Sequence, residues 1–157
     1  VTTVHIESAR DMLMACEAAL PSDIAICAAA VSDWRMASEA AQKLKKNVGG
    51  PPDIALTENP DILKHLSGPG PRRPQLVVGF AAETENVVAN ARAKIDRKKC
   101  DWILANDVSP ESGVFGGDAN TIHFIDADLA EAWPKMSKAD VADRLATRIV
   151  AHLNGKT

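Results

Sequence analysis

The sequence predicts an α/β domain with a largely parallel central sheet. Three observations carry the prediction. Strand-like apolar runs alternate with helix-periodic segments along the chain. Residues 24–30 form a continuous apolar run of strand length, the pattern of a strand covered on both faces. Ser8 and Ser137 each stand three residues before an aspartate and open an apolar-periodic stretch, which is the spacing of a helix capping box.

Taken in order, residues 4–6 (Val4, His5, Ile6) read as a short opening strand. Met12, Ala15, Cys16 and Ala19 then recur at helical intervals until Pro21, giving one βα unit. After the strand at 24–30, residues 32–53 are polar and lysine-bearing and end in Gly49-Gly50-Pro51-Pro52, so they read as a mobile excursion with one short helical turn. Residues 53–56 suit a short strand, and Pro60 suits the first helical position of a segment ending near Leu66, because its missing N–H costs nothing there. Residues 75–80 are the next buried strand, followed by a helix over 84–98, a strand over 101–105, a loop over 109–118 and an alternating strand over 121–125. In the last helix Val141, Leu145, Ile149 and Leu153 form the inward stripe, closed by Asn154-Gly155. No internal repeat and no second domain is visible, so residues 1–157 read as one unit.

Composition narrows the function classes. Apolar residues make up 46% and charged residues 25%, the balance of a chain that buries a core. The net charge of −3, from 18 basic and 21 acidic residues interspersed, gives no general attraction to nucleic acid or an anionic membrane, so any phosphate must be held by local groups. Cys16, Cys27 and Cys100 lie far apart in apolar segments and read as buried thiols of a reducing compartment. With no apolar run of membrane-spanning length and no signal-peptide pattern at the start, the expectation is a cytoplasmic protein.

Candidate chemistry centres on the helix over 84–98. Val87, Val88, Ala91 and Ile95 define its inward face, yet Lys98 falls within that stripe and Lys94 on its edge. Ammonium groups on the core side need anions, so the pair reads either as phosphate clamps or as lysines that favour the helix dipole and reach out to water. Lys43, Lys45 and Lys46, in the excursion past a strand end, read either as a loop closing over polyphosphate or as a solvated charge run. Asp33, just past the same strand end, could serve a ribose, an amine or magnesium, or cap a turn. The Asn59-Pro60-Asp61-Ile62 segment offers backbone N–H groups at a helix start to an anion or a base edge, and a plain cap explains it equally. His5, His65, His123 and His152 form no metal-binding pair at helical spacing. Neither a G-x-G-x-x-G turn nor a P-loop motif is present, which argues against a complete dinucleotide or P-loop fold.

Five segments jointly resemble the phosphopantothenoylcysteine synthetase family, the phosphopantothenate-cysteine ligases of coenzyme A synthesis. They are Ala29-Ala30-Val31-Ser32-Asp33-Trp34, Lys43-Leu44-Lys45-Lys46, Asn59-Pro60-Asp61-Ile62, Val78-Gly79-Phe80-Ala81-Ala82-Glu83-Thr84 and Ala105-Asn106-Asp107. Their order and spacing fit along nearly the whole chain. The resemblance implies a Rossmann-like three-layer fold, a homodimer, and CTP-dependent joining of 4'-phosphopantothenate to cysteine through an acyl-cytidylate. CTP with Mg2+ is the implied ligand; FMN would belong only to a fused flavin-dependent decarboxylase half. By matching motif, Cys27, Ala28, Ala29 and Asp33 line the nucleotide site, Pro60, Asp61, Ile62 and Leu63 read the cytosine, and Phe80 sits against the nucleotide. Lys94 and Lys98 bind the triphosphate and Lys43 is the flap lysine over the reacting phosphate.

Two departures qualify what the resemblance implies. The family's Pro-Glu-Lys flap reads Ala41-Gln42-Lys43, a less rigid turn. Its first strand, glycine-rich turn and Asn/Ser-rich segment have no counterpart, so the expectation is an N-terminally truncated domain that is inactive alone. A non-catalytic nucleotide-binding module and a nicotinamide or flavin oxidoreductase are the alternatives.

Overall fold

The computed structural model describes residues 1–38, 54–109 and 119–155. In chain order these form α1 (Ala9–Ala18), β1 (Ile24–Cys27), β2 (Trp34–Met36), β3 (Leu56–Glu58), α2 (Ile62–Ser67), β4 (Leu76–Glu83) and α3 (Val87–Lys98). Then come β5 (Trp102–Asp107), β6 (Ala119–Asn120), β7 (Ile122–Ile125), β8 (Ala130–Ala132), β9 (Met136–Ser137) and α4 (Lys138–Leu153).

Five strands make the central sheet in the order β1-β4-β5-β7-β8. The first three pair in parallel. Only β7 is reversed, because β8 pairs antiparallel to it and so runs with the others. Helices cover both faces, which gives the three layers of a Rossmann-like α/β domain. On one face Ile62, Leu66 and Ala91, with Met12, Leu13 and Cys16, pack against Val77, Ala81, Ile103 and Ala105. On the other, Val141, Leu145 and Ile149 of α4 pack against Leu76, Val78, Trp102, Leu104 and Phe124. The two sets on β4 and β5 alternate, as the pleat of a strand buried on both faces requires. Trp102 meets Phe124 edge-on at 5.1 Å, and Trp133 stacks on Phe124 at 6.1 Å.

Local signals explain the helix starts. Ser8 and Asp11 exchange a reciprocal cap, with the Asp11 N–H donating to Ser8 Oγ at 3.2 Å and the Ser8 N–H to Asp11 Oδ2 at 2.9 Å. Ser137 and Asp140 repeat it at 3.1 and 3.3 Å. Each satisfies two of the donors that a helix start leaves unpaired.

Several expectations are corrected. Residues 4–6 are not a strand; Val4 is exposed and no ladder in the described chain receives it. The run at 24–30 pairs only over Ile24–Cys27, and among the described residues β1 is an edge of the sheet. Ala25 and Cys27 pack on one face and Ile24 on the other, but Ile26 is 50% exposed, so the second face is only partly covered. An apolar run reports composition, not how many neighbours the strand finds. Residues 34–36, expected in a mobile excursion, form β2, and the strand expected over 53–56 begins at Leu56; the two make an antiparallel ribbon. Pro60 precedes the helix instead of opening it, because Asp61 is the cap and its carboxylate accepts the Lys64 N–H at 3.1 Å. Leu153, expected inward, is the last residue of α4 and is 44% exposed.

Candidate functional site

Parallel strands end together, and the crevice beyond their carboxyl ends is where open α/β sheets bind ligands. Here the end of β1, the turn before α2, Phe80 of β4 and the last turns of α3 enclose a cavity of about 480 Å³. Met12 and Cys16 of α1 close one side.

The turn before α2 is fixed by its own hydrogen bonds. The Asn59 amide nitrogen donates to the Ser32 carbonyl at 2.8 Å, and its backbone N–H donates to the Asp33 carbonyl at 2.8 Å. This ties the exit from β1 to the start of α2 across the foot of the β2–β3 ribbon. Below it, Gly79 of β4 allows the close approach of Leu63: a Cβ there would lie 2.7 Å from Leu63 Cδ2.

Both helix lysines reach the cleft. Lys94 Nζ pairs with Glu83 Oε1 at 3.1 Å, and Lys98 pairs with Asp61. Their side chains are only 25% and 20% exposed, so neither simply extends into water. The anions that the helix wheel called for are supplied by the ends of β4 and by the α2 cap. Asn90 holds Glu83 from behind, donating to Oε2 at 3.2 Å. Burial works to raise the Asp61 pKa, but hydrogen bonds from Lys98 and the Lys64 N–H and their charges outweigh it and hold the carboxyl below its usual range. Cys27 moves the other way: burial, then its neighbours Cys16 and Asp61, push the thiol up to about 11.

Every described residue assigned to the site from sequence lines this one cleft: Cys27, Ala28, Ala29 and Asp33 after β1, Pro60, Asp61, Ile62 and Leu63 before and within α2, then Phe80, Lys94 and Lys98. Lys43, Lys45 and Lys46 lie outside the described residues. Arg97 also lines the cavity, and sequence reasoning missed it. Its signal was available, since it stands three residues after Lys94 and so shares that side of the helix. Among the described residues no cluster of three or more His, Cys, Asp or Glu side chains could hold a metal ion. Asp33, in no ion pair among the described residues, is a further carboxylate lining the cleft.

A family model described as the DNA/pantothenate metabolism flavoprotein C-terminal domain matches residues 1–153. The chain belongs to that family. It is 39% identical over 151 residues to the coenzyme A biosynthesis bifunctional protein CoaBC of Vibrio vulnificus strain CMCP6, covering 95% of this chain and 37% of that protein. For the protein of the same description from Escherichia coli strain K12 the identity is 37% over 159 residues, covering 99% and 39%. The chain thus spans little more than a third of the curated relatives it matches. The crystal structure of the C-terminal domain of a CoaBC protein superposes with a TM-score of 0.71 at 32% identity, covering 99% of this chain and 69% of that one. A DNA/pantothenate metabolism flavoprotein from Streptococcus pneumoniae shares the fold at a TM-score of 0.72 and 19% identity.

Proposed function

We propose that this domain is a phosphopantothenate-cysteine ligase unit of coenzyme A biosynthesis that uses CTP with Mg2+. The observation that carries this reading is the convergence of four separated sequence segments on one cleft with two part-buried lysines at its end. The family membership and the bifunctional relatives support it.

In this reading the base sits against Pro60, Asp61, Ile62 and Leu63, where the Asn59 bonds hold the backbone rigid enough to read hydrogen-bonding edges. The triphosphate runs to Lys94 and Lys98, Phe80 lies against the nucleotide, and Cys27, Ala28 and Ala29 leave room for it beside Asp33. The carboxylate of 4'-phosphopantothenate attacks the α-phosphorus, its bond to pyrophosphate breaks, and the acyl-cytidylate forms. The cysteine amine then attacks the acyl carbon, loses a proton and displaces CMP. An anion attacking a polyanion must have its repulsion screened, and fixed cations stabilise the charge gathering on departing pyrophosphate. In this reading Lys43 is the flap lysine of that set, as the family resemblance implies. Mg2+ bound to the phosphates would share the screening, with Asp33 within the same cleft. The exposed apolar side chains of the β2–β3 ribbon, Trp34, Met36 and Leu56, support a homodimer. In the bifunctional proteins FMN would serve the other half.

Calorimetric titration tests the reading. CTP with magnesium should bind in preference to ATP, and Lys94→Ala and Lys98→Ala should each cost about 1.5 to 3 kcal/mol, the worth of one charge-assisted contact. Equal CTP affinity in the wild type and the double alanine variant would remove the triphosphate assignment.

A further inference from the structure

The two helix lysines at the phosphate end of the cleft are each neutralised by a carboxylate, and each carboxylate has a second partner of its own. Glu83 keeps the Asn90 amide at 3.2 Å when Lys94 leaves it. Asp61 likewise keeps the Lys64 N–H at 3.1 Å when Lys98 leaves it. A carboxylate stripped of its only partner at a part-buried position would be costly; one that retains a donor is not. The charges of Lys94, Lys98, Glu83 and Asp61 therefore sum to zero, and the lysines can change partner at low cost.

We propose that Glu83 and Asp61 are exchangeable counter-ions: incoming phosphate oxygens take Lys94 and Lys98 from them, and the carboxylates compete for the lysines again once pyrophosphate has formed. The idea rests on the nucleotide reading of the cleft and adds a means of product release. A site of bare lysines would hold pyrophosphate as tightly as it holds the triphosphate it must bind. With carboxylates waiting beside the lysines, an anion keeps its place only while further contacts, such as those to the base, help to hold it. The two pairs tie α3 to different elements, one joining β4 to α3 and the other α2 to α3, so each can be tested alone.

The probe is inorganic pyrophosphate, titrated by calorimetry at low ionic strength into the intact protein. Glu83→Gln and Asp61→Asn are isosteric and keep an oxygen for the Asn90 amide and the Lys64 N–H. Each should bind pyrophosphate about fivefold tighter than wild type, the size of one part-exposed charge interaction. The gain should shrink toward nothing at high salt. In a Lys94→Ala background the Glu83→Gln gain should be largely lost, because the direct competition has gone. Tighter binding cannot come from a poorly folded variant. Unchanged or weaker binding in both amide variants overturns the proposal, as does a Glu83→Gln gain of the same size without Lys94, which would be a distant charge effect. Loss of the CTP preference over ATP in wild type would instead sink the ligase reading, and the pyrophosphate series would remain interpretable.

Discussion

Gly79→Ala tests how the core sets the candidate cleft. Gly79 is buried in β4, and the added Cβ would stand 2.7 Å from Leu63 Cδ2, 3.4 Å from Leu63 Cδ1 and 3.6 Å from Ile103 Cγ1. The Ile103 and Leu63 Cδ1 distances are tolerable, so the Cδ2 overlap decides the outcome. Ordinary carbon contacts fall at about 3.5 to 4.0 Å, so Leu63 must withdraw by roughly 1 Å. It can do so by rotating its side chain off its rotamer, at about 0.5 to 1.5 kcal/mol, or by moving the start of α2. Overpacking of a filled core costs about 1 to 3 kcal/mol, and alanine recovers roughly 0.5 to 1 kcal/mol of the glycine penalty within a strand. The net expectation is a loss of about 1 kcal/mol, or roughly 2 to 4 °C in Tm for a domain of this size. Urea unfolding of wild type, Gly79→Ala, Leu63→Ala and the double variant measures the coupling directly. Truncating Leu63 should cost less in the alanine background than in wild type, by about 1 kcal/mol. CTP binding should weaken in Gly79→Ala and recover partly in the double variant. Strictly additive stabilities would refute the claim that Gly79 exists for the approach of Leu63.

Arg97→Ala should weaken CTP binding about three- to tenfold at low salt and much less at high salt, because Arg97 is an exposed cleft cation free of ion pairs among the described residues. Alkylation followed by mass spectrometry should find Cys27 and Cys100 slow at pH 8, where thiols pushed up to about 11 are ionised in about one molecule per thousand. Bound CTP should protect Cys16 and Cys27, which line the cleft, and leave the Cys100 rate unchanged; equal protection of all three would contradict the assigned position of the nucleotide. The same burial stabilises the fold fully below pH 9.0, the unfolded thiol value, and is lost as pH rises toward about 11. On the proposed ligase reading, in a full-length enzyme, Lys43→Gln should slow pyrophosphate release at saturating CTP by roughly two to three orders of magnitude with little change in affinity, and Lys45→Gln and Lys46→Gln should not. Similar small losses in all three, followed by rapid mixing, would make Lys43 one member of a solvated charge run.

What the sequence determined alone was whatever depends on near neighbours. The Ser8–Asp11 and Ser137–Asp140 boxes were legible because a cap is made within four residues, and Val141, Leu145 and Ile149 because a helix repeats its inward face at a fixed interval. The buried strands β4 and β5 announced themselves by apolar runs, and the motif strings carried the family. Lys94 and Lys98 could be seen on the core side of α3, where the helix dipole is the ordinary explanation for cations near a C-terminus, and only the family resemblance turned them toward phosphate.

The tertiary structure decided everything that requires two distant segments to meet. That β1 lies at an edge depends on which strands come to pair with it, and nothing within residues 24–30 encodes that. The β2–β3 ribbon went unread because each strand has three residues and 19 residues separate them. The spacing to Lys94 puts Arg97 on the same side of α3, but that this side meets the β1 exit in one cleft is decided by packing. The partners of the two lysines come from 11 and 37 residues away, one from a strand end and one from a helix cap. A charge read along the chain is only a charge; its counter-ion is chosen by packing, because Coulomb attraction acts through space over a few ångströms and takes no account of sequence separation.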